Sequence, residues 1–253
     1  MQLSGPRKIM KKYNFPGNKS VALLLDPDKV SAEGLKNTLS IASGCKTDFI
    51  LAGGSLTFNS IDSLIDNVRN LCDIPIILFP GNLLQLSLRA DAILLLSLIS
   101  GRNPELLIGN HVIAAPYLRS VKEKLIPVGY ILVGSGKKTS VEYVSHTEAI
   151  PADKPDLVAA TAMAGEMLGF HMIYLEAGSG ADNPVPPGII SSVRENVSVP
   201  LAVGGGLKTS REITDTFNAG ANLVILGNGC EKNPGLLAEA CSIRDKIRAL
   251  QAT

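Results

Sequence analysis

Eight short apolar runs recur along the 253-residue chain, at residues 21–26, 48–53, 75–79, 92–98, 128–133, 172–176, 200–203 and 222–226. Most are continuously hydrophobic rather than alternating, the pattern of parallel strands covered on both faces. Parallel strands need long crossovers, and helical periodicity fills most gaps, at 32–43, 61–71, 104–124, 154–168, 187–195, 210–219 and 234–250. Strands alternating with helices through right-handed crossovers specify an α/β fold, a (β/α)8 barrel of the TIM type. About 250 residues is an ordinary size for one such barrel. Residues 1–253 are therefore expected to form a single domain with a short N-terminal extension over about residues 1–20. The segment 81–91, between the third and fourth strands, is short for a helix and is expected to be a loop or degenerate turn.

With 45% hydrophobic and 19% charged residues, the composition is that of a chain that buries a core. A net charge of +1 with no basic block excludes a nucleic-acid footprint. Cys45, Cys72, Cys230 and Cys241 lack the paired spacing of a zinc site and are too few for a disulfide scaffold, so reduced thiols are expected. Lys8, Lys11 and Lys12 sit in an N-terminal stretch without a signal-like apolar run. The most apolar run, 92–99, falls far short of the roughly 20 residues of a spanning helix. These features point to a cytoplasmic enzyme whose membrane contact, if any, is peripheral.

Two glycine-rich turns close the seventh and eighth strands: Gly204, Gly205 and Gly206, then Gly227, Asn228 and Gly229. Glycine lets main-chain N–H groups approach an anion with no Cβ in the way, and a helix start just beyond adds its positive dipole end. The loops after the last two strands of a TIM barrel frequently bind phosphate. The pair reads as a phosphate cradle.

Acids and hydroxyls end the other strands. Asp26 ends the first, with Asp28 two residues on; hard oxygen ligands suit Mg²⁺, which completes its shell with water and substrate phosphate. Capping of the following turn is the competing role for both acids. Ser55, on the Gly53–Gly54 turn of the second strand, reaches the same face and can complete the metal or diphosphate site. Tyr174 and Glu176 share one face of the sixth strand by its period of two. There a carboxylate can take a hydroxyl proton and a tyrosine ring can lie near a developing cation. A buried ion pair for Glu176 and core packing for Tyr174 are the alternatives. Gly178, Ser179 and Gly180 add further donors, and residues 134–139 form a polar, mobile-looking loop.

Leu25 to Lys29, Gly53 to Ser55, Tyr174 to Gly180, Val203 to Gly206 and Gly227 with Asn228 follow one another in the order of a known family. The chain resembles the geranylgeranylglyceryl and heptaprenylglyceryl phosphate synthases over nearly its whole length, and the segment Ser100 to Pro104 looks like theirs. The resemblance implies transfer of a prenyl group from a polyprenyl diphosphate to the 3-hydroxyl of sn-glycerol 1-phosphate, with Mg²⁺ required. It implies metal positions at Asp26 and Ser55. Substrate positions follow at Tyr174, Leu175, Glu176, Ala177, Gly178, Ser179, Gly180, Gly204, Gly205, Gly206, Gly227 and Asn228, with Glu176 as base and Tyr174 stabilising positive charge. Where one branch of that family carries a lysine two residues before the aspartate, this chain has Leu24, which points to the branch typified by archaeal and some bacterial members. Residues 111–118 are small and apolar enough to line a trough for the prenyl tail, and Lys29 and Lys208 stand where they can steer phosphate. His111, His146 and His171 show no ligand spacing. A homo-oligomer is expected, as exposed apolar helix faces of barrels often pair.

Two other functions share these residues. A metal-independent sugar-phosphate isomerase or lyase would use Asp26 as an acid-base group. A non-catalytic phosphate-ligand protein would keep only the cradle.

Overall fold

Strand β1 (Ser20–Leu25) pairs in parallel with β2 (Phe49–Gly54), and each later strand joins the one before it: β3 (Ile76–Pro80), β4 (Ala92–Leu98), β5 (Leu125–Leu132), β6 (Met172–Glu176), β7 (Leu201–Gly204) and β8 (Leu223–Leu226). β8 then pairs with β1, Val21 opposite Val224, which closes the barrel. The computed structural model describes residues 18–251 except 228, 231, 232 and 234. Residues 1–17, most of the expected N-terminal extension, lie outside the described residues.

The period of two sorts side chains into two apolar layers. Ala22, Leu51, Ile77, Val128, Tyr174 and Ile225 fill the barrel interior. Val21, Leu23, Ile50, Leu78, Ile173 and Val224 point outward, under the helices. That outer ring consists of α1 (Ala32–Gly44), α2 (Ile61–Arg69), α3 (Asn110–Leu118), α4 (Ser140–Ser145), α5 (Pro155–Met167), α6 (Pro187–Asn196), α7 (Ser210–Asn218) and α8 (Gly235–Gln251). No helix among the described residues is long and apolar enough to cross a membrane.

Between β3 and β4 the chain makes only one 3-10 turn, Leu83–Gln85, as the short spacing predicts. Elsewhere the structure departs from the pattern. β5 starts three residues before the expected 128, because Pro127 sits inside the strand, opposite Leu95 of β4. The expected helix 104–124 divides into a π-type turn at Glu105–Gly109, then α3, then a 3-10 stretch at Arg119–Lys124. Pro116 lies in α3, and Val121 leaves helical geometry at φ −125°. α4 is absent from the sequence expectation; its six residues are too few for a periodic signal.

At the closed end, Asp48 accepts hydrogen bonds from the N–H of Val21, from Arg244 and from Arg248 at 2.7–2.9 Å. Arg244 is 2% exposed. This buried pair anchors α8 to the starts of β1 and β2 and leaves the opposite mouth free for chemistry.

Candidate active site

The C-terminal ends of the strands surround a cavity of about 990 Å³, the face where barrels of this kind carry their active sites. Asp26, Ser55, Tyr174, Glu176, Gly205 and Gly227 all line it. The acidic edge from β1 and the glycine turns of β7 and β8 therefore share one mouth.

Tyr174 and Glu176 are both buried, at 1% and 7% exposure, on the inward face of β6. The Gly178 N–H donates to Glu176 Oε1 at 2.7 Å, and the Tyr174 hydroxyl donates to the same carboxylate. Among the described residues no cation pairs with it; burial, only partly offset by these two bonds, raises its pKa above the ordinary carboxylate range. A base so tuned takes a proton more readily near neutrality than a solvated carboxylate does. Burial and the Glu176 charge push the phenols of Tyr174 and Tyr130 well up, so both stay protonated. Leu175 points into the outer apolar layer, as does Ala177, so these two positions offer main chain rather than side chain to the mouth.

Gly205 has φ +81°, and a Cβ there would overlap Glu176 Oε1 and come within 2.7 Å of the Gly178 nitrogen. The glycine lets the β7 turn lie against the β6 loop. Gly206, Gly178, Ser179, Gly180 and Gly227 line the same side of the cavity, whereas Gly204 lies below the rim, within β7. Asn228 lies outside the described residues. α7 starts just beyond, with a capping box: Thr209 Oγ1 accepts from Glu212 N, while Glu212 accepts from Lys208 N and Thr209 N at 2.7 and 2.9 Å. Leu24 lines the mouth where a Cβ on Gly227 would touch it at 3.7 Å.

At the tip of β1, the strand next to β8, Asp26 Oδ1 accepts from the Asp28 N–H at 3.0 Å, and Oδ2 faces the Lys29 ammonium at 3.1 Å. A Cβ on Gly54 would come within 2.9 Å of Oδ2, so the carboxylate packs against the turn that carries Ser55. Asp28 caps instead: it accepts from the N–H groups of Phe58 and Asn59, at 2.8 Å each, and ties the β1 loop to the entry of α2. Among the described residues no three His, Cys, Asp or Glu side chains form a metal cage. One carboxylate beside one hydroxyl fits Mg²⁺, which keeps waters and takes substrate phosphates as its remaining ligands.

A narrow apolar groove leads from this mouth along the flank left bare between β3 and β4. Leu83, Leu94, Leu106, Ala114 and Leu118 line it, together with His111, whose Nε2 lies 3.2 Å from Ser97 Oγ. Residues 111–118 thus contribute one wall through Ala114, Leu118 and His111, while Val112, Ile113 and Tyr117 face outward. Phe79, Tyr130, Val141 and Val144 belong to both groove and cavity. The rings of Phe79, Tyr130 and Tyr174 pack tilted or edge-on to one another, with centroids 5.1–6.1 Å apart.

Sequence reasoning passed over Phe79, Tyr130 and Gln85. The first two carry the inward parity of their strands, a signal that strand period alone could have supplied. Gln85, 1% exposed, donates to the Gly54 carbonyl at 2.9 Å and accepts from the Gly81 N–H at 3.0 Å, and so holds the β2 tip. Nothing local in the sequence marks it. Ser100 and Asn103 stitch rather than bind: Ser100 Oγ accepts from Leu132 N, and Asn103 donates to the Ser145 carbonyl.

Residues 17–250 match the profile of the PcrB family. The chain belongs to that family. A relative from Spirosoma linguale, named geranylgeranylglyceryl phosphate synthase, is 46% identical over 236 residues, covering 93% of this chain and 95% of its own. Another of that name, from Korarchaeum cryptofilum, is 39% identical over 92% of this chain and 94% of its own. Among solved structures, (S)-3-O-geranylgeranylglyceryl phosphate synthase from Thermoplasma acidophilum, in complex with its substrate sn-glycerol-1-phosphate, superposes with a TM-score of 0.87 at 27% identity, over 97% of this chain and all of that one. An N-acetylmannosamine-6-phosphate 2-epimerase from Clostridium perfringens, at TM-score 0.55 and 12% identity over 83% of this chain and 86% of its own, shares the fold alone.

Proposed function

We propose that this chain is a prenyltransferase that joins a polyprenyl diphosphate, of geranylgeranyl type, to the 3-hydroxyl of sn-glycerol 1-phosphate, with Mg²⁺ as its cofactor. Its main support is the continuity of two unlike surfaces: a polar mouth with a buried base and a glycine cradle runs into an apolar groove across Phe79 and Tyr130. A sugar phosphate would need only the first. A substrate with an anionic head and a long hydrocarbon tail needs both.

The bonding follows from the residues. Glycerol phosphate is held by its anion at Gly205, Gly206, Ser179 and Gly227, which leaves its free hydroxyl toward Glu176. The hydroxyl oxygen forms a bond to the first prenyl carbon as the bond from that carbon to diphosphate breaks, and the hydroxyl proton passes to Glu176. Glu176 is kept in place by Gly178 N–H and Tyr174. The π faces of Tyr174, Tyr130 and Phe79 offer a favourable surface to positive charge on the allylic carbons. Asp26 and Ser55 would hold Mg²⁺, which would supply Lewis-acid neutralisation of charge on the diphosphate. Holding both reactants in line supplies much of the acceleration.

The proposed setting is the cytoplasm, with peripheral membrane contact through the lipid product. Ile108, Val112, Ile113 and Tyr117 stand 51–65% exposed along α3 and the turn before it, an apolar face that supports a homo-oligomer. Mass spectrometry of products formed from sn-glycerol 1-phosphate, Mg²⁺ and diphosphates of graded length tests the activity. The expected product is a prenyl ether of glycerol phosphate; well-folded protein that makes none with any diphosphate refutes it.

A further inference from the structure

Asp26 offers two oxygens, and they face different partners. Oδ1 is turned into its own loop by Asp28 N–H, while Oδ2 lies toward the β2 tip with the Lys29 ammonium 3.1 Å away. A second tie fixes this turn, as Lys29 N–H donates to the Asp26 carbonyl at 3.0 Å. Both side chains line the mouth, and the lysine side chain is 40% exposed against 12% for the aspartate. A positive charge already occupies the approach that a divalent cation needs.

Two other lysines of the rim are held elsewhere: Lys137 pairs with the Asp182 carboxylate at 2.6 Å, and Lys208 donates to the Asp182 carbonyl at 2.8 Å. Lys29 pairs with the acidic edge itself. The lysine end of this pair is solvent-exposed, and lysine is a flexible stem with a compact charge. Such a pair opens easily when a stronger cation arrives.

We infer that Lys29 is an exchangeable counter-ion: it neutralises Asp26 while the site is empty of substrate, yields Oδ2 to the divalent cation, and transfers its charge to the incoming diphosphate. Lys29 is then a positioning residue that couples cation entry to diphosphate entry. The inference rests on the cation-binding role proposed for Asp26. Without Lys29, the cation meets less repulsion and no competitor, but the diphosphate loses a partner.

The two halves of that exchange predict opposite changes, which no purely structural role would produce. Free Mn²⁺ measured by electron paramagnetic resonance reports cation binding to substrate-free wild type, Lys29→Met, Lys29→Arg and Asp26→Asn proteins. Inorganic pyrophosphate, titrated in the presence of Mn²⁺, reports the second half. Lys29→Met is expected to bind Mn²⁺ about fivefold more tightly and pyrophosphate about fivefold more weakly than wild type, and Lys29→Arg to restore both. Mn²⁺ affinity unchanged or weakened in Lys29→Met, with binding lost in Asp26→Asn, overturns the counter-ion role and leaves the cation site standing. Binding that persists in Asp26→Asn, or that is absent from every protein, overturns both.

Discussion

Substituting Gly205 by alanine tests whether the β7 turn must lie against Glu176. Two costs combine. The residue sits at φ +81°, and left-handed backbone costs an alanine about 1–2 kcal/mol. The added methyl would overlap Glu176 Oε1 and crowd Gly178 N at 2.7 Å and Ala177 N at 2.9 Å; forcing atoms into a packed site costs about 1–3 kcal/mol. Gly180 separates the two, since it has φ +73° but nothing within 4 Å of its ideal Cβ. Gly180→Ala should therefore lower stability by only the first amount, and Gly205→Ala by roughly 2–5 kcal/mol in total. At about 2–4 °C per kcal/mol for a domain of this size, Gly205→Ala should melt roughly 4–20 °C below wild type. Differential scanning calorimetry measures both. Wild type should gain about 2.7 kcal/mol when sn-glycerol 1-phosphate is present at about 100 times its Kd, and Gly205→Ala should lose that gain. A Gly205→Ala protein as stable as Gly180→Ala, with an undiminished ligand shift, would refute the packing argument.

Glu176→Gln should lower turnover by roughly 100-fold or more, and an unchanged rate removes this carboxylate from the chemistry. The same variant should be more stable than wild type at neutral pH. Burial raises the Glu176 pKa in the folded state, so its contribution is full below the unfolded value and lost as pH climbs through the folded one; parallel denaturant titrations at low and neutral pH compare the two proteins. Activity follows the reverse course, rising with pH through a limb above the ordinary carboxylate range, and Glu176→Gln should erase that limb from a pH profile of kcat/KM. Asp26→Asn and chelation of divalent cations should each abolish turnover while leaving the far-ultraviolet circular dichroism unchanged. Near-normal rates in either would contradict the metal role. Ala114→Phe should cut turnover with a long diphosphate more than with a short one, as Ala114 is a buried wall of the groove; equal losses in a direct competition assay would place the tail elsewhere.

The strands were legible because burial on both faces leaves continuous apolar runs, and period two then placed Tyr174 and Glu176 together. Boundaries were harder where a residue's local preference and its tertiary setting disagree. Pro127 argues against a strand interior, yet it lies within β5 opposite Leu95. The run 104–124 looks like one helix until Pro116 and Val121 break it. α4 did leave a trace in its capping box, Thr139 with Glu142, too short a signal to outweigh the glycines before it. Its place at the strand tip favours Asp26 over Asp28 as the ligand in sequence, but capping is an alternative for both, and the N–H groups of Phe58 and Asn59 assign Asp28 to it. Long-range support such as Gln85 under the β2 tip has no local signature, because the strand tip it holds, at Gly54, lies 31 residues away in sequence.

The bare flank beside the single turn at Leu83–Gln85 separates two design problems that most enzymes must solve in one place. Under the proposed reaction, bond making would stay at the rim, while the length of hydrocarbon admitted would be set in the adjoining groove by residues such as Ala114 and Leu118, which line the groove and not the cavity. Such a molecule can be refitted for longer or shorter tails through substitutions on its side, with the catalytic end untouched.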